Sequence, residues 1–176
     1  MSSDLHFPIG GTGQVLILTD SVLSRFERHR QTRWFHREAG GQLFSDLDGH
    51  DIVVQEATGP RSADWRSRFS YRPDRLAERR EIKRKHAAGL HFIGDWHTHP
   101  EGRPKPSASD LQSIAECVSA SVHELNAFVM VIVGQLPWPE GIHVSLHDGT
   151  TSVELAAQDV KGSDGEPRDA LEGKLT

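Results

Sequence analysis

Residues 90–100 read Leu-His-Phe-Ile-Gly-Asp-Trp-His-Thr-His-Pro, and this stretch decides how the rest of the chain is arranged. An apolar start, a single glycine and a closing proline describe a central strand over Leu90–Thr98 that runs out into a loop at Pro100. In a strand, residues two apart project to the same face. His97 and His99 therefore share one face, and Trp96 and Thr98 the other. Two neutral imidazoles at a strand end suit zinc, which in catalytic sites takes three protein ligands and keeps a position open for water.

Working outward, a Pro- and Gly-containing loop over 100–106 leads to Ser107-Ala108-Ser109-Asp110. There the clearest helical periodicity of the chain begins, with Leu111, Ile114, Ala115, Val118, Val122 and Leu125 on one face. Ser107-x-x-Asp110 reads as a capping box, a role that also holds an aspartate rigidly near the strand end. His97, His99 and Asp110 then make a zinc site of two imidazoles and one carboxylate. An H-x-H pair alone carries little weight, because 11 histidines in 176 residues give about 0.7 such pairs by chance. The following Pro and the nearby S-x-x-D are what make it specific. Metallo-β-lactamase, cupin and cytidine deaminase patterns fit poorly, since the acidic, His or paired-Cys positions that they need are occupied by other residues.

Farther out, Ala127–Gly134 is an apolar run expected to form a buried strand, and Gly141–His147 alternates as a more exposed one. Upstream, Gln14–Thr19 reads as a buried strand and Asp20 as the N-cap of a helix reaching about Gln31. Gln42–Phe44 and Asp51–Glu56 read as a hairpin, Thr58–Arg72 as irregular, and Pro73–Ala88 as a charged helix with Gly89 at its C-cap. The order β-α-β-β-α-β-α-β-β describes a single mixed sheet flanked by helices, an α/β domain over residues 1–157, with a polar, disordered tail over 158–176. A hydrolase of this type needs a general base. Glu38, ahead of Gly40-Gly41, is the candidate, the double glycine permitting close approach of another backbone or a substrate to an open strand edge.

Composition narrows the classes. A net charge of −5 argues against a general nucleic-acid binder, and no run is long enough to span a membrane. No secretory signal precedes the first strand, which gives the expectation of a cytoplasmic protein. One cysteine, Cys117, excludes an internal disulfide and reads as a packing residue. Gly10–Gly13 lacks the Lys-Ser/Thr of a phosphate loop. Arg72–Lys85 holds seven of the 20 Lys and Arg residues and reads as a solvated helix face, with docking of an acidic partner the alternative. Arg61–Tyr71, with interleaved aromatics, reads either as core anchoring or as a groove for an extended chain. The other nine histidines, His143 and His147 among them, have no motif support.

The pattern E-x-G-G-x-L followed by H-x-H-P-x6-S-x-x-D, spanning Glu38 to Asp110, resembles the JAB/MPN+ (JAMM) zinc metallopeptidases and their cytidine-deaminase-like fold. Ser45 stands where that family often has Gly. Gly41-Gln42-Leu43-Phe44, Ala57-Thr58-Gly59-Pro60 and Gly94–Glu101 narrow the resemblance to short bacterial JAB proteins of mobile elements and CBASS-type anti-phage operons. The resemblance implies one Zn2+ per chain held by His97, His99 and Asp110, Glu38 as acid/base, and Ser107 as a donor to the oxyanion. It implies water attack without a covalent intermediate, with Glu38 passing the proton to the leaving amine. The implied substrate is a conjugate or precursor of a ubiquitin-like modifier, or a cGAS-like nucleotidyltransferase acting as the modifier. Activating and conjugating enzymes of the same operon are the implied partners. Trimming of sulfur-carrier precursors and a non-catalytic MPN scaffold are the alternatives.

Overall fold

The run Phe128–Val133 is buried at every position, and each fully buried side chain in it contributes about 1.5–3 kcal/mol relative to exposure. It forms the strand around which the sheet is assembled. The computed structural model describes residues 4–120 and 125–158. The element order is β1 (Leu5–Pro8), β2 (Val15–Leu18), α1 (Asp20–His29), β3 (Gly40–Ser45), β4 (Ile52–Val54), β5 (Glu56–Ala57), β6 (Trp65–Arg66) and β7 (Tyr71–Arg72). Then follow α2 (Arg75–Ala87), β8 (His91–Thr98), α3 (Ala108–Ala120), β9 (Phe128–Val133), β10 (Ile142–His147) and β11 (Ser152–Leu155).

The expected mixed sheet is present with six strands in the order β11-β10-β9-β8-β3-β5. β8 and β9 are parallel, and the other pairs are antiparallel. Two small sheets accompany it, β1-β2-β4 and β6-β7. The expected hairpin is realised by β3 and β5, while β4 leaves to pair in parallel with β2. Leu16, Leu18 and Val54 of that small sheet join the same core as Leu43, Trp96 and Val131. α1 lies on the Trp96 face, where the Phe26 and Trp96 rings are 4.9 Å apart. α2 and α3 border the opposite face, which carries Asp95 and His97.

Several local expectations shift. Thr19, not Asp20, occupies the N-cap of α1, and the Asp4 carboxylate accepts from the Asp20 N–H instead. Asp74 caps α2, accepting from the N–H groups of Leu76 and Ala77. Gly89 takes a positive φ of 82° just past the end of that helix, where its N–H and that of Leu90 close the last carbonyls. The expected apolar face of α3 is only partly covered: Ile114 is buried and Leu111 is exposed. Val122 lies outside the described residues, as does the tail from 159 onward.

β10 is buried rather than exposed, because β11 pairs along its outer edge and its polar face is closed by internal hydrogen bonds. Nor is the double glycine an open edge. A Cβ at Gly41 would lie 1.7 Å from the Thr58 carbonyl oxygen, so the glycine admits the returning backbone of residues 58–59.

Candidate functional site

His97 and His99 leave β8 on one face as the alternation requires, and the residues between and before them fasten the strand from the other side. Thr98 is fully buried; its hydroxyl donates to Gln31 Oε1 (2.9 Å) and accepts from the Ala39 N–H (2.9 Å). The Thr98 N–H returns to the Ala39 carbonyl at 2.8 Å. Trp96 donates its indole N–H to the Thr58 carbonyl at 2.8 Å. Glu38 stands next to Ala39, so the Thr98 clasp fixes it beside the two histidines. Its own N–H donates to the Ser67 carbonyl (2.7 Å) and its carbonyl accepts from Arg66 Nε (2.6 Å).

Asp110 arrives from α3. Its carboxylate accepts from the Ser107 N–H at 2.7 Å, and the Asp110 N–H points back to Ser107 Oγ at 3.2 Å. This reciprocal pair is the capping box expected from the sequence. It turns Asp110 toward His97 and His99. The resulting separations are 3.1 Å between the two Nε2 atoms, 3.2 Å from His97 Nε2 to Asp110 Oδ1 and 3.4 Å from His99 Nε2 to Asp110 Oδ2. One donor atom each of Glu38, His97 and His99 also lie within 4.8 Å of one another.

These separations test whether a metal fits. A tetrahedral ion about 2.0–2.1 Å from each ligand needs ligand atoms about 3.3–3.4 Å apart. The observed separations fall within about 0.2 Å of that range, those to Asp110 through one carboxylate oxygen for each histidine, and the donor set of two imidazoles and one carboxylate suits zinc. One detail departs from the usual pattern. Zinc-bound imidazoles ordinarily donate their second N–H to the protein. His99 Nδ1 is buried and has no partner among the described residues.

The charges are arranged for such an ion. Burial by itself would raise the Asp110 carboxyl, but the hydrogen bonds from His97, His99 and Ser107 outweigh it and hold the group well below the carboxylate range. Burial acts on Glu38 in the same sense and there it wins: the carboxyl is pushed up, assisted by Asp110 and opposed by the two histidines. His99 is raised, because Asp110 and Glu38 overcome the desolvation of its ring. Two carboxylates on one site are thus driven apart, one kept ionised and the other left closer to accepting a proton.

A hollow of about 100 Å3 adjoins the site and is bordered by Glu38, Gly41, Tyr71, Asp95, His97 and Asp110. Two of these residues were not anticipated. Asp95 shares the face of His97, a relation already present in the period-2 spacing, and desolvation together with neighbouring Glu78 pushes its carboxyl up to about 7. Tyr71 comes from β7, far away in sequence, and donates its hydroxyl to Asp64 at 3.1 Å.

A second cleft, about 800 Å3, contains none of Glu38, His97, His99 or Asp110. Its floor includes His143, Ser145 and His147, all buried. Ser145 Oγ stands 3.0 Å from His143 Nε2 and 2.8 Å from His147 Nε2, and Glu154 faces His143 Nδ1 at 3.5 Å.

The family of prokaryotic homologs of the JAB domain matches residues 19–146. A CD-NTase/cGAS isopeptidase of Pseudomonas aeruginosa is 32% identical over 126 residues, covering 69% of this chain and 78% of the relative. A CD-NTase/cGAS isopeptidase of Escherichia coli is 26% identical over 123 residues, covering 68% of this chain and 76% of the relative. The solution structure of a protein from Desulfitobacterium hafniense superposes with a TM-score of 0.56 at 21% identity, over 78% of this chain and 87% of that one, a likeness of fold.

Proposed function

The chain belongs to the family of prokaryotic homologs of the JAB domain, and from that premise we propose that it is a zinc-dependent isopeptidase. The observation that carries this reading is the meeting of His97, His99 and Asp110 at 3.1–3.4 Å with Glu38 beside them. On this reading His97, His99 and Asp110 hold one zinc ion. When bound, the ion lowers the pKa of a coordinated water toward about 7 and polarises the scissile carbonyl.

The chain's own residues do the rest. Glu38, with its pKa raised by burial, accepts the proton of the attacking water and returns it to the departing amine. No covalent acyl-enzyme is needed. Arg66 and Ser67 hold the Glu38 backbone, which anchors the base of its side chain beside the two histidines. Ser107 is assigned to the developing oxyanion. Its hydroxyl now donates to Asp110 at 2.7 Å, so this role requires it to rotate about χ1 when substrate is present.

The relatives' names, CD-NTase/cGAS isopeptidase, support a CD-NTase/cGAS-like enzyme in an isopeptide linkage as the substrate class. On this reading the bond cut joins the C-terminus of that enzyme, or of a ubiquitin-like modifier, to an amine. The same reading includes a role in anti-phage defence, a cytoplasmic setting, a catalytic domain over residues 1–157 and neighbouring activating and conjugating enzymes. Among the described residues no helix is long and apolar enough to cross a membrane.

The test is cleavage of a lysine-linked CD-NTase conjugate by wild type and by Glu38→Ala. The variant should keep its metal and lose at least about 10²-fold in kcat. Unchanged turnover would remove Glu38 from the reaction.

A further inference from the structure

Among the described residues, the four exposed aromatic side chains all belong to two short segments. Trp34 is 80% exposed, Phe35 56%, Trp65 55% and Phe69 74%. The segments are residues 33–37 and 65–72, some thirty positions apart in sequence. At roughly 150–250 Å2 per aromatic side chain, these exposures leave on the order of 500 Å2 of aromatic surface in water. The largest apolar patch on a typical soluble monomer is about 300–600 Å2 and is often functional.

The segments are fastened to each other rather than splayed. Arg68 donates through Nη1 to the carbonyls of Arg33 (3.0 Å) and Trp34 (2.5 Å), and its guanidinium stands 5.4 Å from the Phe69 ring. Buried Gln31 donates to the carbonyls of both His36 (3.3 Å) and Arg68 (2.8 Å). Trp34 and Phe35 meet edge to face at 5.7 Å, and Arg72 stands over Trp65 at 5.3 Å. The surface is therefore held in place before any partner arrives, which lowers the entropic cost of binding.

Its charge has one sign. The two segments carry five arginines and no carboxylate, in a chain whose net charge is −5. Arg33, Arg37 and Arg72 are exposed and pair with no carboxylate among the described residues. Exposed Trp and Arg together are the residue types that dominate protein–protein hot spots.

The patch also adjoins the candidate reaction centre. Ser67 accepts from the Glu38 N–H, and Arg66 donates to the Glu38 carbonyl. Whatever docks on residues 33–37 and 65–72 is thus held next to Glu38.

We propose that this aromatic–arginine patch is the docking surface for a protein partner that presents an acidic segment with interspersed apolar side chains, and that it holds that partner beside Glu38. The proposal rests on reading Glu38, His97, His99 and Asp110 as a hydrolytic site. An acidic protein segment is favoured over single-stranded nucleic acid because that site is suited to amide bonds and the chain as a whole is acidic.

The test is binding alone, so its failure is separate from a failure of hydrolysis. A fluorescein-labelled peptide alternating Asp or Glu with Leu and Phe, its counterpart with Lys in place of the acids, and a labelled oligothymidylate are titrated with the full chain and followed by anisotropy. The acidic peptide should bind at least about tenfold more tightly than either of the others. Trp34→Ala and Arg68→Glu should each weaken it by about tenfold or more. Arg80→Glu, on exposed α2, should leave it unchanged, as should Glu38→Gln. Equal binding of the acidic and Lys peptides, tighter binding of the oligothymidylate, or retention of affinity in Trp34→Ala would each overturn the proposal. Trp34 is too exposed for its loss to unfold the chain, and thermal unfolding of each variant checks this.

Discussion

Two histidine pairs lie on the same face of the sheet, one at the end of β8 and one on β10, and they are finished differently. The register links them directly: His97 lies opposite Ile132 of β9, and Ile132 lies opposite His143. At His97 and His99 the two Nε2 atoms face each other at 3.1 Å, with the Asp110 carboxylate as the third corner. At His143 and His147 a serine hydroxyl stands between the rings.

That hydroxyl changes the chemistry. With Glu154 facing His143 Nδ1 at 3.5 Å, Ser145 can donate to His143 Nε2 and accept from His147 Nε2, so each of its two contacts pairs one donor with one acceptor. The first pair has no hydroxyl between its rings, and its two Nε2 atoms meet the Asp110 carboxylate directly. Histidines sharing a strand face thus become a candidate metal site when their ring nitrogens meet a carboxylate, and a structural ladder when a hydroxyl intervenes.

The largest effect should come from removing one member of each pair. His97→Ala should abolish measurable cleavage of a CD-NTase conjugate, whereas His143→Ala should retain activity within about tenfold while losing stability. Comparable losses of activity would break the distinction between the two pairs. A smaller effect is expected from Thr98→Val, which preserves shape and leaves the Ala39 N–H and Gln31 Oε1 unpaired. Its thermal unfolding should report about 1–3 kcal/mol of destabilisation, with cleavage reduced because Glu38 loses its clasp.

The smallest effect concerns pH. Burial lowers the pKa of both His143 and His147 below the ordinary 6.5, so the unfolded state binds protons that the folded state does not. Stability from these groups is complete above pH 6.5 and declines as pH falls below it, on the order of 1 kcal/mol per pH unit for each ring at most. His147→Gln, followed by urea unfolding at pH 5 to 7, should flatten that decline. A slope equal to wild type would mean that His147 is no more enclosed than a surface imidazole.

The first pair was legible from sequence because its geometry is local. Period-2 alternation puts His97 and His99 on one face, and a four-residue capping box aims Asp110. Glu38 was legible only through the motif around it, since nothing local indicates that Thr98 will clasp Ala39. The ladder on β10 was invisible because it depends on β11, a short strand with a weak pattern of its own, pairing at the outer edge. The aromatic segment 61–71 left two readings open, and the fold divides them: Tyr71 turns inward while Trp65 and Phe69 stay in water. Trp34 and Phe35 carried no signal, because their exposure follows from how Arg68 and Gln31 tie that loop down.

The measurement that bears most directly on this account is the zinc content of the full chain, by elemental analysis after dialysis, for wild type, His97→Ala and His143→Ala. The account predicts about one zinc per chain in wild type and in His143→Ala, and none in His97→Ala. Zinc lost from His143→Ala but kept in His97→Ala, or no zinc in any of the three, would contradict it.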